Sequence, residues 1–219
     1  MALHNLLSFW NSVPGDKVFT HPLPLENLKK FLSPEAAILD FGCGYGRSGR
    51  ELTSAGFHNY IGVDISAGMI SRGMSLNPEL PLLVFDGLAL PFPAACSDAC
   101  IMMAVLNCIP SSHDQREAVA EIRRVLKPGG IFLLSDYPLQ EDRRSQERYR
   151  RFAGDYEAFG IFRTGEGGLF RHHRMDWIHD LLSGFEVLGE SNREVLTMNG
   201  NPAKIFQILA RKNQDPPAP

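Results

Sequence analysis

Two aspartates and three glycines carry the chemistry that this sequence offers first. Asp40 stands two residues ahead of Gly42, Gly44 and Gly46, and Asp64 follows 18 residues after the last glycine. Glycines at alternate positions allow a turn that residues with a Cβ resist, and they let a ligand come close to the main chain. An acid at the tip of the next strand can accept hydrogen bonds from both hydroxyls of a ribose, near the roughly 20-residue spacing of the ribose acid in dinucleotide sites. The glycine spacing excludes two phosphate-binding turns. A G-x-G-x-x-G turn needs its third glycine where Arg47 stands, and a G-x-x-x-x-G-K-[ST] cradle needs a Lys-Ser or Lys-Thr pair that does not follow here. The pattern suits a nucleoside ligand that needs no phosphate partner.

Positioning these residues requires alternating strands and helices. Ala37 to Leu39 is an apolar run into Asp40 and reads as a strand; Ser48 to Ala55 reads as a helix whose free N–H groups point back at the turn. After the break at Gly56, Tyr60 to Val63 forms a second strand ending in Asp64, and Ser66 is placed to cap the next helix. Leu80 to Phe85 is a third strand, ending at Asp86-Gly87-Leu88. Ile101 to Leu106 is a buried fourth, followed by Asn107-Cys108-Ile109-Pro110. A helix from Asp114 to Leu126 carries Ala118, Ile122 and Val125 on one face and stops at Lys127-Pro128-Gly129-Gly130; Ile131 to Ser135 is the fifth strand. A helix from Met175 to Leu182, a strand from Phe185 to Leu188 and a strand from Ala203 to Ala210, with a turn at Asn199 to Pro202, close the chain. Ahead of the first strand lies a leader, 1–34, with short helices at Leu3 to Trp10 and Leu25 to Leu32. Its Trp10 and His21 either line the site or simply pack the leader onto the body.

The acid followed by G-x-G-x-G, the second acid at Asp64, and the Leu-Lys-Pro-Gly-Gly turn before an apolar strand resemble the class I S-adenosylmethionine-dependent methyltransferases, over roughly residues 36–136. That resemblance implies an α/β fold with a doubly wound, seven-stranded, mostly parallel sheet of order 3-2-1-4-5-7-6. It implies S-adenosyl-L-methionine as cofactor, held by Asp40, Gly42, Gly44 and Gly46, with Asp64 on the ribose and Ile65 and Met69 beside the adenine. Met69 reads equally as a core contact. Asp86 would accept from the adenine amino group, with Gly87 and Leu88 next to it, and Leu106 ends the strand that faces the methyl donor. Asn107 departs from the N-P-P-[YF] signature of enzymes that methylate amino groups of nucleobases or glutamine, which weighs against a nucleobase acceptor.

Composition narrows the setting. The chain has 219 residues, of which 44% are hydrophobic and 21% charged, enough for one substantial core; one domain is expected over 1–212, with a disordered tail at 213–219. A net charge of −3 argues against broad electrostatic capture of nucleic acid. The four cysteines form no C-x-x-C pair, so free thiols, a reducing compartment and no metal are expected. Without an apolar stretch of about 18 residues or a cleavable leader, a cytoplasmic protein with no membrane partner is expected.

The segment after the fifth strand, Asp136 to Arg174, has eight arginines and seven tyrosines and phenylalanines and is longer than a usual strand-to-helix connection. Long insertions at the mouth of a site are commonly functional lids, so 137–174 is the expected lid and acceptor site. Arg143 to Arg151 reads as a charged helix and Gly160 to Phe170 as a hairpin or loop, with Gly165, Gly167 and Gly168 allowing it to open. Candidates for a catalytic base are His173, His172, Tyr137 and His21, in that order; adjacent histidines cannot share one face of a strand or helix, so one of the pair is expected to point inward. The expected activity is methyl transfer to an oxygen or nitrogen of a small molecule, with RNA or protein methylation and a non-catalytic S-adenosylmethionine binder as alternatives.

Overall fold

The computed structural model describes residues 2–12, 17–87 and 89–214; Leu88 and most of the expected tail lie outside the described residues. Seven strands form one sheet: β1 (Ile38–Phe41), β2 (Tyr60–Asp64), β3 (Leu82–Val84), β4 (Ser97–Met103), β5 (Leu126–Asp136), β8 (Phe185–Leu196) and β9 (Pro202–Lys212). A separate hairpin pairs β6 (Ile161–Arg163) with β7 (Leu169–Arg171). The large sheet runs β3-β2-β1-β4-β5-β9-β8, with β9 antiparallel to both neighbours. Leaving out the hairpin, this is the expected 3-2-1-4-5-7-6 order.

Alternation along the strands splits the core into two layers. Leu39, Phe132, Leu134, Phe206 and Ile208 face one side with α5 (Ser112–Val125) and α7 (Met175–Leu181), while Ile38, Ile101, Ile131, Leu133 and Leu209 face the other. On that second side lie α2 (Leu25–Leu28), α3 (Arg47–Ser54) and α4 (Ala67–Leu76), contributing Leu28, Leu52 and Ile70. Buried on both faces, the central strands need apolar residues at every position, which is why they read as continuous runs. Above the carboxyl edge a third cluster gathers Cys108, Tyr149, Phe162 and Phe170, against Phe9 and Trp10 of α1 (Ala2–Ser12) and Phe152 of α6 (Arg143–Phe152).

Three departures from the expected boundaries bear on the site. The fourth strand ends at Met103, because Ala104 takes a left-handed φ of 58° and Leu106–Cys108 form one turn of 3-10 helix. The Lys127 to Gly130 turn is absorbed into β5 as an irregularity: pairing steps from Ser97–Leu126 to Ala99–Ile131, with Gly129 at φ 75°. β8 runs eight residues past the expected Leu188, pairing with β9 to Leu196; most of the added residues are exposed, so no apolar run announced them.

Candidate active site

The strand order reverses between β1 and β4, and the glycine turn sits at this switch point, where open α/β sheets bind ligands. Gly42 and Cys43 donate their N–H groups to Val63 O at 2.8 and 3.0 Å, locking the turn to the end of β2. Asp64 accepts from Gly44 N–H and Ser66 N–H, both at 2.8 Å, so one carboxylate braces the turn and the start of α4 together. Ser66 caps α4 as expected, its Oγ accepting from Met69 N–H at 3.1 Å. Asp40 is buried and accepts from Tyr60 Oη at 2.9 Å; burial pushes its pKa up to about 7 against the opposing effect of that bond. Burial likewise raises Asp64, partly offset by backbone N–H groups.

The glycines serve the chain's own packing. At Gly42 (φ 75°) a Cβ would clash with Val105 Cγ2, and at Gly44 (φ 56°) it would clash with Phe19 Cε2. The space above the turn is thus occupied by Phe19 of the leader and by Val105, two residues past the end of β4. Phe19 stacks on Tyr45 at 4.8 Å, and its N–H donates to Tyr45 Oη at 3.1 Å, which draws the leader across the turn. Asn11 reaches α4, accepting from Ser66 Oγ at 2.7 Å and Gly68 N–H at 3.2 Å.

A cavity of about 660 Å³ opens from this turn, within the size range of small-ligand sites. Asp40, Gly42, Gly44, Asp64, Ile65, Met69 and Gly87 all line it. Gly46 does not: at φ 78° it opens α3, and a Cβ there would meet Leu80 and Leu82 at 3.1 and 3.2 Å, so it serves helix-to-strand packing. Leu106 is fully buried in the core, because the 3-10 turn rotates it inward and leaves Val105, Asn107 and Cys108 on the wall. Asp86 is exposed and off the wall; Phe85, whose N–H donates to Asp64 O at 3.1 Å, turns inward against Phe41 and lines the cavity with Gly87 and Leu90.

At the other end stand Tyr137 and His172, their rings stacked at 5.1 Å and 17°. His172 Nδ1 is 2.6 Å from Tyr149 Oη, which also accepts from Gln140 N–H at 3.1 Å. His21 meets Tyr137 edge-on at 4.7 Å, with Nδ1 3.2 Å from Ser135 Oγ and a buried Nε2 that has no partner among the described residues. Burial holds all three histidines of this region, His21, His172 and His173, well below the ordinary imidazole pKa; His21 and His173 are pushed down to about 3. They are neutral at physiological pH.

His173, the first-ranked base candidate, does not line the cavity. Its Nε2 lies 2.9 Å from Gln115 Nε2 and its Nδ1 3.2 Å from Tyr137 O, and the 4.0 Å separation from Asp136 is no ion pair because the ring is uncharged. Gln115, fully buried, also bonds Leu106 O, Ile109 O and Trp177 Nε1 and ties α5 and α7 to the floor of the site. His173→Gln is expected to lower stability by about 1–3 kcal/mol, the cost of an unmatched buried polar group, while folded protein keeps its turnover. Thermal melts beside rates per folded molecule check this; a variant of normal stability with lost turnover would return His173 to the mechanism.

Residues 39–134 match the family described as "Methyltransferase domain". A putative methyltransferase of Encephalitozoon cuniculi is 30% identical over 173 residues, covering 76% of this chain and 78% of its own length. The chain belongs to the S-adenosylmethionine-dependent methyltransferases. A structure of such an enzyme from Methanosarcina mazei superposes with a TM-score of 0.80 at 25% identity, covering 89% of this chain and 99% of that one. The 18S rRNA (guanine(1575)-N(7))-methyltransferase of Saccharomyces cerevisiae is 36% identical over 120 residues, 51% of this chain and 44% of its own length. This methyltransferase chain therefore spans under half of that relative.

S-adenosylmethionine fits the acceptors this site presents. Asp64 has carboxylate lone-pair capacity beyond its backbone bonds for a hydroxyl group, Asp40 is an acid suited to a cationic ligand, and Ile65, Met69 and Phe85 are apolar walls for a flat ring. Sequence reasoning left several wall residues out. Phe19 and Thr20 come from the leader; Thr197, Met198 and Asn199 come from the β8–β9 turn. An Asn-Gly turn was visible in the sequence, but its position over the mouth depends on the unforeseen length of β8. No helix among the described residues is long and apolar enough to cross a membrane.

Proposed function

We propose that this protein transfers the methyl group of S-adenosylmethionine to an oxygen or nitrogen of a small molecule held in the chamber between the leader and the insertion. One observation carries the reading: a single cavity has Asp40 and Asp64 on its wall together with Tyr137, His172 and Phe162, so donor and acceptor sites are continuous. When bound, S-adenosylmethionine supplies an activated methyl group on a sulfonium. Asp64 holds hydroxyls, Asp40 faces positive charge, and the insertion excludes water from the acceptor end.

Positioning dominates the catalysis asked of this chain. Alignment of reacting groups is worth up to roughly 7–11 kcal/mol. General base catalysis adds about 10²–10⁴-fold at best and least for a base far from the working pH. His21, held at about 3, is a poor base but a good neutral acceptor: its unpartnered Nε2 orients an O–H or N–H of the acceptor against Tyr137. His172→Gln is expected to leave cofactor affinity within about threefold, roughly 0.7 kcal/mol, and to lower turnover strongly. Equal cofactor affinity with unchanged turnover would remove His172 from the acceptor site.

RNA methylation is the second reading, favoured by the similarity to the yeast rRNA methyltransferase. Incubation with labelled S-adenosylmethionine and, separately, metabolite extract and total RNA separates the two. Label in the small-molecule fraction alone supports the first reading, and label in RNA overturns it.

A further inference from the structure

Arg148, on α6, lines the acceptor end of the cavity beside Phe162, Phe170, Tyr137 and His172. Its guanidinium carbon sits 3.6 Å from the centroid of the Phe162 ring, so one face is covered by an aromatic surface. A terminal nitrogen reaches Ser145 Oγ at 3.3 Å, a weak bond, the Tyr149 hydroxyl is a further hydrogen-bonding neighbour, and among the described residues the buried Nε has no partner. Among the described residues no carboxylate lies within 4.0 Å of it. The nearby acid Asp142 is committed as the cap of α6, its Oδ1 accepting from Ser145 N–H at 3.0 Å.

Other arginines of the chain show what this one lacks. Arg47 pairs with Glu51 at 2.6 Å, Arg124 with Glu121 at 2.7 Å and Arg143 with Glu147 at 2.7 Å. Arg171, which like Arg148 has a buried Nε without a partner among the described residues, has its terminal nitrogen held instead by Pro110 O and Ser112 Oγ, both at 3.0 Å. Without a carboxylate partner the desolvation of a partly buried guanidinium is only partly compensated; here burial depresses its pKa, offset in part by the Tyr149 hydroxyl and by Asp142. The planar fork of an arginine matches a carboxylate through two parallel bonds. Around it the walls are flat rings: Phe162 and Phe170, and the Tyr137–His172 stack.

We propose that the acceptor is a planar aromatic acid, its carboxylate paired with the open edge of Arg148 and its ring lying among Phe162, Tyr137 and His172. This rests on the reading above, that this end of the cavity takes the methyl acceptor. Benzoate and its neutral isostere benzamide probe the site. The full chain is titrated calorimetrically with each, with and without saturating S-adenosylhomocysteine.

Benzoate is expected to bind at least tenfold more tightly than benzamide. Arg148→Met, which keeps the apolar stem over Phe162, is expected to bring the two within twofold while leaving S-adenosylhomocysteine affinity unchanged. Arg148→Lys, which keeps the charge but loses the fork, should retain part of the preference. Equal binding of the two probes by the unaltered protein overturns the proposal without any variant, and so does a preference that survives in folded Arg148→Met. If Arg148→Met instead weakens S-adenosylhomocysteine, the anion at this arginine is the cofactor's own carboxylate and the acceptor assignment falls. Retained benzoate preference in a protein that does not bind S-adenosylhomocysteine would support the anion site and overturn the cofactor reading.

Discussion

Asp64→Ala is expected to weaken S-adenosylhomocysteine binding at least a hundredfold and to lower the melting temperature at the same time. Hydrogen bonds to a charged group contribute about 1.5–3 kcal/mol each, so loss of two ribose bonds reaches roughly 3 kcal/mol or more, and a hundredfold change in affinity is about 2.8 kcal/mol. The stability loss has a separate origin. Gly44 N–H and Ser66 N–H both donate to this carboxylate at 2.8 Å, and removing it leaves two inward donors without their acceptor, at about 1–3 kcal/mol each. Both effects are therefore expected from one substitution. Calorimetry on protein shown to be folded by near-ultraviolet circular dichroism separates them. A lower melting temperature with unchanged affinity would leave Asp64 a brace of the glycine turn and nothing more.

The second large effect concerns Asp136, at the end of β5. Fully buried, it accepts from Tyr137 N–H at 2.7 Å and Asn107 N–H at 3.1 Å, yet burial outweighs these bonds and pushes its pKa up to about 7. The folded pKa lies above the unfolded value of 3.8, so the group's contribution to stability is fully present below pH 3.8 and is lost as pH rises to about 7. Three units correspond to about 4 kcal/mol as an upper bound. His21 and His173 act oppositely across a similar window: lowered from 6.5 to about 3, they favour the fold above pH 6.5 and lose that contribution as pH falls toward 3. In the unaltered chain the two trends offset each other.

Asp136→Asn removes one side of that balance. Relative to the unaltered chain, its unfolding free energy is expected to rise by up to about 4 kcal/mol between pH 4 and pH 7, whatever fixed cost the amide brings by facing a backbone N–H. Urea unfolding at a series of pH values measures the difference directly. A difference that stays constant with pH would show that Asp136 ionises in the folded chain as an ordinary carboxylate.

Local residue pattern was sufficient for the parts of this protein whose geometry is short-range. The glycines at 42, 44 and 46, the acids at 40 and 64, the Ser66 cap and the apolar runs of the central strands each act within a few residues, and the strand order follows once the family resemblance is recognised. Asp40, Asp64, Ile65 and Met69 do line the cavity for this reason.

Where a side chain points depends instead on turns that pattern does not encode. The left-handed Ala104 and the 3-10 turn after it send Leu106 into the core and put Val105 and Asn107 on the wall. The end of β3 at Val84 turns Phe85 inward and Asp86 out. Adjacent His172 and His173 point to different surroundings, as the two-residue period of extended chain requires. Only long-range partners decide which one sees the cavity: Tyr149 takes His172, and Gln115, 58 residues away, takes His173. The insertion stood out in the sequence by its length and its aromatic and basic content, but the lack of a carboxylate beside Arg148 did not. A charge without a partner is a property of everything that packs around it, and that is settled only when the leader, the insertion and the ends of the strands are brought to one edge of the sheet.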